Sequence, residues 1–153
     1  MLSFVKKWSL IRPKGSRPML LTRASEYALL SLDKIRKSDH PIGSEQLAKE
    51  LCIPKSFLAK ILHNLAKQEI LESHRGAHGG FTIRKDLGDV SVYRIILAAE
   101  GKAPSVFDCS QYQDSCPHGL VGGCAITPFL ARFQGRVDSF LNELTLDELF
   151  DEN

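Results

Sequence analysis

One helix pattern followed directly by a glycine-rich hairpin pattern constrains this fold more than any other feature of the sequence. In residues 54–68 the apolar side chains recur at three- and four-residue steps, as on one face of a helix: Leu58, Ile61, Leu62 and Leu65. Pro54 suits the first turn, because its missing N–H would be unpaired there. Two β-type runs, 70–74 and 81–84, flank a glycine-rich tip. We therefore expect a helix followed by a small antiparallel hairpin.

Two further helices are predicted ahead of this one. Residues 21–37 carry apolar side chains at helical spacing, and Thr22 or Ser25 is suited to cap the start. A short helix should follow with Ser44 as its N-cap and three apolar residues inward: Leu47, Ala48 and Leu51. Two short helices joined by a tight turn are typical of a helix-turn-helix. The alternative is an ordinary helical hairpin with a solvated outer face.

The outer face of the 54–68 helix predicts contact with DNA. Its small and basic residues are the candidate contacts in the major groove: Lys55, Ser56, Ala59 and Lys60. The hairpin behind it then acts as a wing, whose glycines allow close approach to a sugar-phosphate chain. Arg75 at the wing tip is suited to a narrow, electronegative minor groove. The wing favours a winged helix-turn-helix over the ordinary hairpin.

Charge is unevenly distributed along the 153 residues, although the net charge is only +2. Lysine and arginine outnumber acidic residues by eleven to seven in residues 19–85, whereas acidic residues outnumber them by eleven to four in residues 86–153. A basic front half indicates a polyanionic partner. The acidic back half indicates a different task.

Three cysteines in one glycine-rich stretch predict a metal or cluster site. Cys109, Cys116 and Cys124 are separated by six and then seven residues. Three converging thiolates bind a soft metal or an iron-sulfur cluster and leave one coordination position for another ligand. The alternative is a disulfide with a spare thiol, which the absence of an export signal disfavours. The fourth cysteine, Cys52, lies alone in a helical pattern.

A C-terminal helix is predicted to mediate dimerisation. Its apolar residues alternate at three- and four-residue steps, as in a short heptad seam: Leu130, Phe133, Val137, Phe140 and Leu144. The alternative is burial against the chain's own core. A homodimer also suits DNA reading, because two recognition helices and two wings require an operator with two-fold symmetry.

Three segments together resemble the Rrf2 family of bacterial winged-helix regulators. Residues 19–28, MLLTRASEYA, are similar to the family's opening, and residues 75–81, RGAHGGF, are similar to its wing. Residues 142–149, NELTLDEL, resemble its closing segment. The resemblance covers nearly everything from Met19 onward. It implies a homodimeric transcription factor that senses iron-sulfur, redox or nitric oxide status through a [2Fe-2S] or [4Fe-4S] cluster.

In such proteins the three cysteines hold the cluster and the fourth ligand varies. Some members use a histidine three residues after the last cysteine, where this chain has Thr127. Others use a carboxylate from the partner's first helix, and Glu26 occupies that place. His118 is the competing ligand. The cysteine spacings are slightly longer than those common in the family.

The expected fold is mainly α with a small β-hairpin wing and a long C-terminal dimerisation helix. We expect a winged-helix DNA-binding domain over 19–99, a cysteine-rich loop over 100–126, and a dimerisation helix with its tail over 127–153. Residues 1–18 are either a disordered basic arm or lie ahead of the true start, and we favour the latter.

Several other functions are disfavoured by the sequence. Basic residues interrupt every apolar run near the N-terminus, so neither a signal peptide nor a membrane span is expected, and the protein is predicted to be cytoplasmic. No enzyme motif appears, so it is not expected to be an enzyme. Two rivals remain: a zinc or thiol-disulfide switch on the same DNA-binding scaffold, and a small iron-sulfur electron-transfer protein.

Overall fold

A computed structural model of the chain describes residues 21–76, 78–84, 86–107, 120 and 124–151. The helices in these ranges are α1 (Arg23–Arg36), α2 (Ser44–Glu50), α3 (Lys55–Lys67), α4 (Val92–Glu100), α5 (Thr127–Glu143) and α6 (Leu146–Asp151). The two strands are β1 (Leu71–His74) and β2 (Gly80–Ile83), and a short 3-10 turn spans Leu87–Asp89. The predicted mainly helical fold with a small hairpin is confirmed.

Helix α1 begins at the predicted cap. The Thr22 side chain accepts a hydrogen bond from the backbone N–H of Ala24, so one unpaired donor of the first turn is satisfied. The inward stripe of α1 is fully or almost fully buried: Ala28, Leu32 and Ile35. Ser25, the alternative cap, is instead completely buried within the helix.

Helices α2 and α3 form the helix-turn-helix. The predicted inner face of α3 is confirmed, since its four apolar residues are all at most 2% exposed: Leu58, Ile61, Leu62 and Leu65. Both predicted starts are shifted by one residue. Gly43, not Ser44, is the N-cap of α2, and Pro54 is the N-cap of α3 rather than part of its first turn. The turn between them places Cys52 in the left-handed region at φ +54°.

The wing is anchored to the start of α2 by close backbone contact. Strands β1 and β2 pair antiparallel from Leu71 opposite Ile83 to His74 opposite Gly80. Phe81 also exchanges backbone hydrogen bonds with Ile42, at 2.9 and 3.1 Å. A Cβ at Gly80 would lie 2.5 Å from the Ile42 carbonyl carbon, so this junction admits only glycine without a backbone shift.

Helix α4 connects the wing to the C-terminal part and lies in the core. Its inward residues are buried: Val92, Ile95, Ile96, Ala98 and Ala99. After α5 the chain returns to the core through α6, where Leu146 is completely buried and its N–H donates to the Val90 carbonyl at 3.0 Å. The guanidinium of Arg36 lies over the Phe150 ring at 4.4 Å, which attaches α6 to the end of α1.

The predicted seam of α5 divides between two faces. Val137 and Leu144 pack with the buried Leu141 against Val92 and Ile96 of α4, so burial against the chain's own core holds for these positions. An apolar stripe remains exposed on the other face, and its members are Ile126, Phe129, Phe133 and Phe140. The heptad pattern in the sequence does not separate the buried stripe from the exposed one, because two adjacent stripes of one helix have similar residue spacings.

No helix in the described ranges is long and apolar enough to cross a membrane.

Candidate nucleic-acid interface and cysteine segment

The start of α3 presents the predicted DNA-contacting residues on an open surface. Lys55 and Ser56 are exposed in its first turn, Lys60 is exposed one turn later, and Ala59 is half-buried. Lys55 Nζ lies 2.6 Å from Glu45 Oε2 of α2, and this hydrogen bond with its accompanying charge lowers the pKa of Glu45. Because both groups are largely exposed, the pair is weak and leaves the ammonium available to a phosphate.

Two further residues extend this surface. His63 and Lys67 are exposed and follow Ser56 and Lys60 at steps of three and four, so all four lie on the face opposite the buried stripe. His63 and Lys67 were not among the residues predicted to contact DNA, although their helical spacing places them on this face. They make the outer face of α3 basic along its whole length.

The wing tip places its cation in solvent. Arg75 is exposed directly after β1, and Gly76 follows with φ +108°, a conformation that favours glycine. Behind the tip, the His74 ring nitrogen Nε2 lies 2.8 Å from Thr82 Oγ1 and joins the two strands. A groove of about 850 Å³ separates the wing from α2, and His40, Lys49 and His78 lie along it. Lys49 of α2 thus lies on one side of this groove, and His78 of the wing lies on the other.

Cys124 lies just before α5, where backbone donors favour its thiolate. The backbone N–H of Ile126 and then the hydroxyl of Thr127 donate hydrogen bonds to the sulfur, and they lower the pKa of the Cys124 thiol. The sulfur belongs to a half-exposed residue. Thr127 therefore contacts the cysteine that it follows, although it lacks the imidazole that some family members have there. Cys109, Cys116 and His118 lie outside the described residues.

Glu26 lies in the first turn of α1 with its side chain half exposed. Its carboxylate pairs with Arg23 at 2.9 Å, one turn earlier on the same helix. Because this ion pair is exposed it is weak, so the Glu26 carboxylate can exchange Arg23 for another partner at little cost in free energy. Within the described ranges, no three side chains of the types His, Cys, Asp and Glu come together as a metal site.

The thiol chemistry of Cys124 gives a first prediction. In metal-free protein, Thr127→Val should raise the pH at which Cys124 becomes half-reactive toward iodoacetamide, because one donor to the thiolate is lost. The midpoint should remain below the ordinary cysteine value, since the Ile126 N–H is retained. Peptide mass spectrometry across a pH series measures the rate at Cys124 alone. Thr82→Val, which removes a hydroxyl in the wing, is the matched control, and an equal shift in both variants would contradict the assignment.

A two-helix unit with a basic second helix, a glycine-rich wing beside it, and a long trailing helix define a winged helix-turn-helix DNA-binding protein. The model of the Rrf2 family, described as an iron-dependent transcriptional regulator, matches residues 21–152. The chain therefore belongs to the Rrf2 family of transcriptional regulators, as the sequence motifs predicted.

Individual relatives agree with this assignment. The chain is 33% identical over 135 residues to the HTH-type transcriptional repressor NsrR of Streptomyces coelicolor, covering 86% of this chain and 88% of that protein. It is 26% identical over 137 residues to the HTH-type transcriptional regulator IscR of Photobacterium profundum, covering 88% and 77%. The structure of CymR, the global cysteine regulator of B. subtilis, superposes with a TM-score of 0.62 at 19% identity, covering 87% of this chain and 97% of CymR. That last likeness concerns the fold.

Proposed function

We propose that this chain regulates transcription through an iron-sulfur cluster held by Cys109, Cys116 and Cys124. The observation that carries the proposal is the position of Cys124: it is half-exposed, lies three residues before α5 in the part of the chain that matches the Rrf2 family, and has the backbone N–H of Ile126 as a donor to its sulfur. Since iron binds thiolate and not thiol, donors that lower the pKa of this thiol favour ligation. When bound, such a cluster supplies a centre that is sensitive to oxidant and nitric oxide. We place the regulator in the cytoplasm, where thiols stay reduced.

The fourth ligand that we propose is Glu26 of the partner subunit. Its carboxylate is exposed and, within the described part of the chain, is held by a weak surface pair with Arg23, so its release to another ligand costs little. A carboxylate is a poorer ligand than thiolate for iron, which makes this corner of the site the one most easily lost. His118 is the competing candidate.

We propose a homodimer because an apolar stripe of α5 stays largely exposed among the described residues. The stripe of Ile126, Phe129, Phe133 and Phe140 exposes between 39% and 61% of each residue, and Phe129 stacks on Phe133 at 6.0 Å between ring centroids. A second copy of α5 would cover this stripe isologously. Two copies would then present two recognition helices and two wings to a symmetric operator.

The two sites would communicate through α1. A partner's Glu26 in the cluster site would connect the first helix of one DNA-binding domain to the cysteine segment of the other subunit. Release of Glu26 would change the separation of the two α3 helices, which must match half-sites about one helical turn apart. A coupling of about 1–3 kcal/mol suffices to change operator affinity from about fivefold to more than a hundredfold.

Anaerobic purification tests this function. The protein is expected to contain iron and sulfide and to absorb visible light, and its affinity for a duplex selected in vitro from random DNA should change at least about fivefold when the cluster is removed. Glu26→Ala should alter the spectrum and reduce that change, whereas His118→Ala should do neither. Gel-shift titration at fixed salt measures the affinity.

Each contrary result has a definite meaning. A colourless protein with stoichiometric zinc would replace the iron proposal by a zinc switch, which the same thiolate ligands would support. Metal-free protein whose DNA affinity changes with a disulfide would indicate a thiol switch. If only His118→Ala alters the spectrum, the fourth ligand is His118 and the route through Glu26 is wrong.

A further inference from the structure

The last residue of α4 is bonded to the start of α1 by three hydrogen bonds. Glu100 Oε1 accepts from the Thr22 backbone N–H at 3.2 Å, from the Thr22 hydroxyl at 3.0 Å, and from the Ser25 hydroxyl. Ser25 is completely buried and Glu100 is partly buried. A carboxylate acceptor makes these bonds stronger than neutral ones. The first turn of α1 is therefore fixed to a position 75 to 78 residues later in the chain.

Packing alone does not fix this end of α1 against the recognition helix. A surface pocket of about 310 Å³ opens between them, lined by Thr22 and Ala24 of the α1 start, by Phe57 of α3 and by Glu100. Deeper along α1, the Tyr27 ring meets the Phe57 ring edge to face, with centroids 5.8 Å apart. Helix α1 thus contacts the first turn of α3 through this ring pair.

The chain that follows Glu100 is attached to α5 at its other end. We call residues 100–107 the connecting segment. Gln134 of α5 donates from Nε2 to the Pro104 carbonyl at 3.0 Å and accepts from the Val106 backbone N–H at 2.9 Å. Pro104 is buried, and the Phe107 ring lies 5.9 Å from the Phe133 ring. The connecting segment thus joins the start of α1 to α5.

We infer that the connecting segment transmits strain between α5 and the DNA-binding helices, with Glu100 and Gln134 as its positioning residues. This inference rests on the proposed function, because the segment ends two residues before Cys109 and α5 begins three residues after Cys124. A shift of α5 displaces the 104–107 end through the two Gln134 hydrogen bonds. Glu100 then carries the displacement to Thr22 and Ser25 within the same subunit. This route is separate from the one that Glu26 would provide across the dimer.

Amide hydrogen exchange of α1 tests the inference without cluster or DNA. In both anaerobically purified and metal-free protein, Glu100→Ala should accelerate exchange of the amides of residues 26–29 about tenfold or more, as expected for loss of hydrogen bonds to a charged acceptor. Glu100→Gln keeps an acceptor oxygen and should retain most of the protection. Gln134→Ala should accelerate exchange at these same α1 amides about fivefold, although it changes only the far end of the segment.

Coupling is established by combining the two changes. Glu100→Ala removes the hydrogen bonds to the start of α1, so adding Gln134→Ala should cause no further acceleration of amide exchange in α1. The effects of the two substitutions on affinity for the selected duplex should be non-additive in the same way. Asn142→Ala removes another amide from α5 and is the matched control, because among the described residues this amide bonds within its own helix, at the Asp138 carbonyl. Circular dichroism and thermal melting confirm that each variant folds.

The outcomes separate this inference from the proposed function. Unchanged α1 exchange in Gln134→Ala, or purely additive effects of the two substitutions, overturns the transmitting role. If the protein holds no iron but the α1 amides still respond non-additively, the connecting segment stands and the cluster proposal fails. If iron-dependent DNA binding survives intact in folded Glu100→Ala, the signal travels by another route.

Discussion

Replacing Cys124 with alanine is expected to abolish the visible absorption of anaerobically purified protein and to lower its iron and sulfide content more than about tenfold. Loss of an outer partner of a metal ligand already costs roughly 10–100-fold in affinity, and loss of a ligand should cost at least as much. Cys124 is the cysteine to test first, because donors from Ile126 and Thr127 favour its thiolate, the form that binds iron. Cys109→Ala and Cys116→Ala should behave alike.

Cys52→Ala is the control for this series. Cys52 is exposed in the turn between α2 and α3, and its substitution should leave iron content, sulfide content and spectrum unchanged. Inductively coupled plasma analysis and a sulfide assay provide the numbers. An undiminished spectrum in Cys124→Ala would remove this residue from the ligand set, whereas equal bleaching by Cys52→Ala would indicate general instability of the fold.

The helices could be predicted because the buried face of a helix places apolar residues at three- and four-residue steps in the sequence. The stripe of α3 was predicted correctly, since the helix buries one face against a single core. The stripe of α1 was correct from Ala24 onward, whereas Leu21 lies before the helix and is 40% exposed. Helix ends were less accurate. Ser44 has a typical capping side chain, yet the start of α2 is set by the backbone contact of the wing with Ile42, and Gly43 becomes the cap.

Contacts between residues far apart in the chain produce no periodic pattern in the sequence. Nothing in the sequence relates Glu100 to Ser25, because a single hydrogen bond across 75 residues creates no pattern. The division of α5 into a buried and an exposed stripe was also hidden, since it depends on where α4 packs. Of the site, the basic face of α3 and the position of Arg75 at the wing tip could be predicted, and the role of Cys124 as a ligand stays a prediction. The donors that tune Cys124 could not be predicted, because they arise from the turn geometry before α5.

Substitution of the recognition helix and of the wing should weaken DNA binding in two different ways. Arg75→Ala removes a guanidinium proposed to enter the minor groove, and loss of such a contact should cost about 1–3 kcal/mol per half-site and relax sequence preference nearby. Lys60→Ala removes an exposed ammonium without an ion pair in the described ranges. If Lys60 contacts a phosphate, all sequences should weaken alike, and the slope of log affinity against log salt should fall by about one per contact.

A salt series with the selected duplex and a scrambled duplex separates these effects. Lys55→Ala should cost at least as much as Lys60→Ala, because loss of the ammonium leaves its 2.6 Å partner, the Glu45 carboxylate, unneutralised and repelled by the phosphates. To isolate that contribution, Lys55→Ala is compared with the double substitution Lys55→Ala and Glu45→Gln, which should bind more tightly than Lys55→Ala alone. Arg136→Ala removes an equal charge from an exposed position of α5 and should leave both affinity and salt slope nearly unchanged.

Because the wing is held to α2 by the Ile42–Phe81 hydrogen bonds, Arg75→Ala should not disturb α3. Parent-like affinity of Arg75→Ala at physiological salt would therefore mean that the wing does not contact the operator.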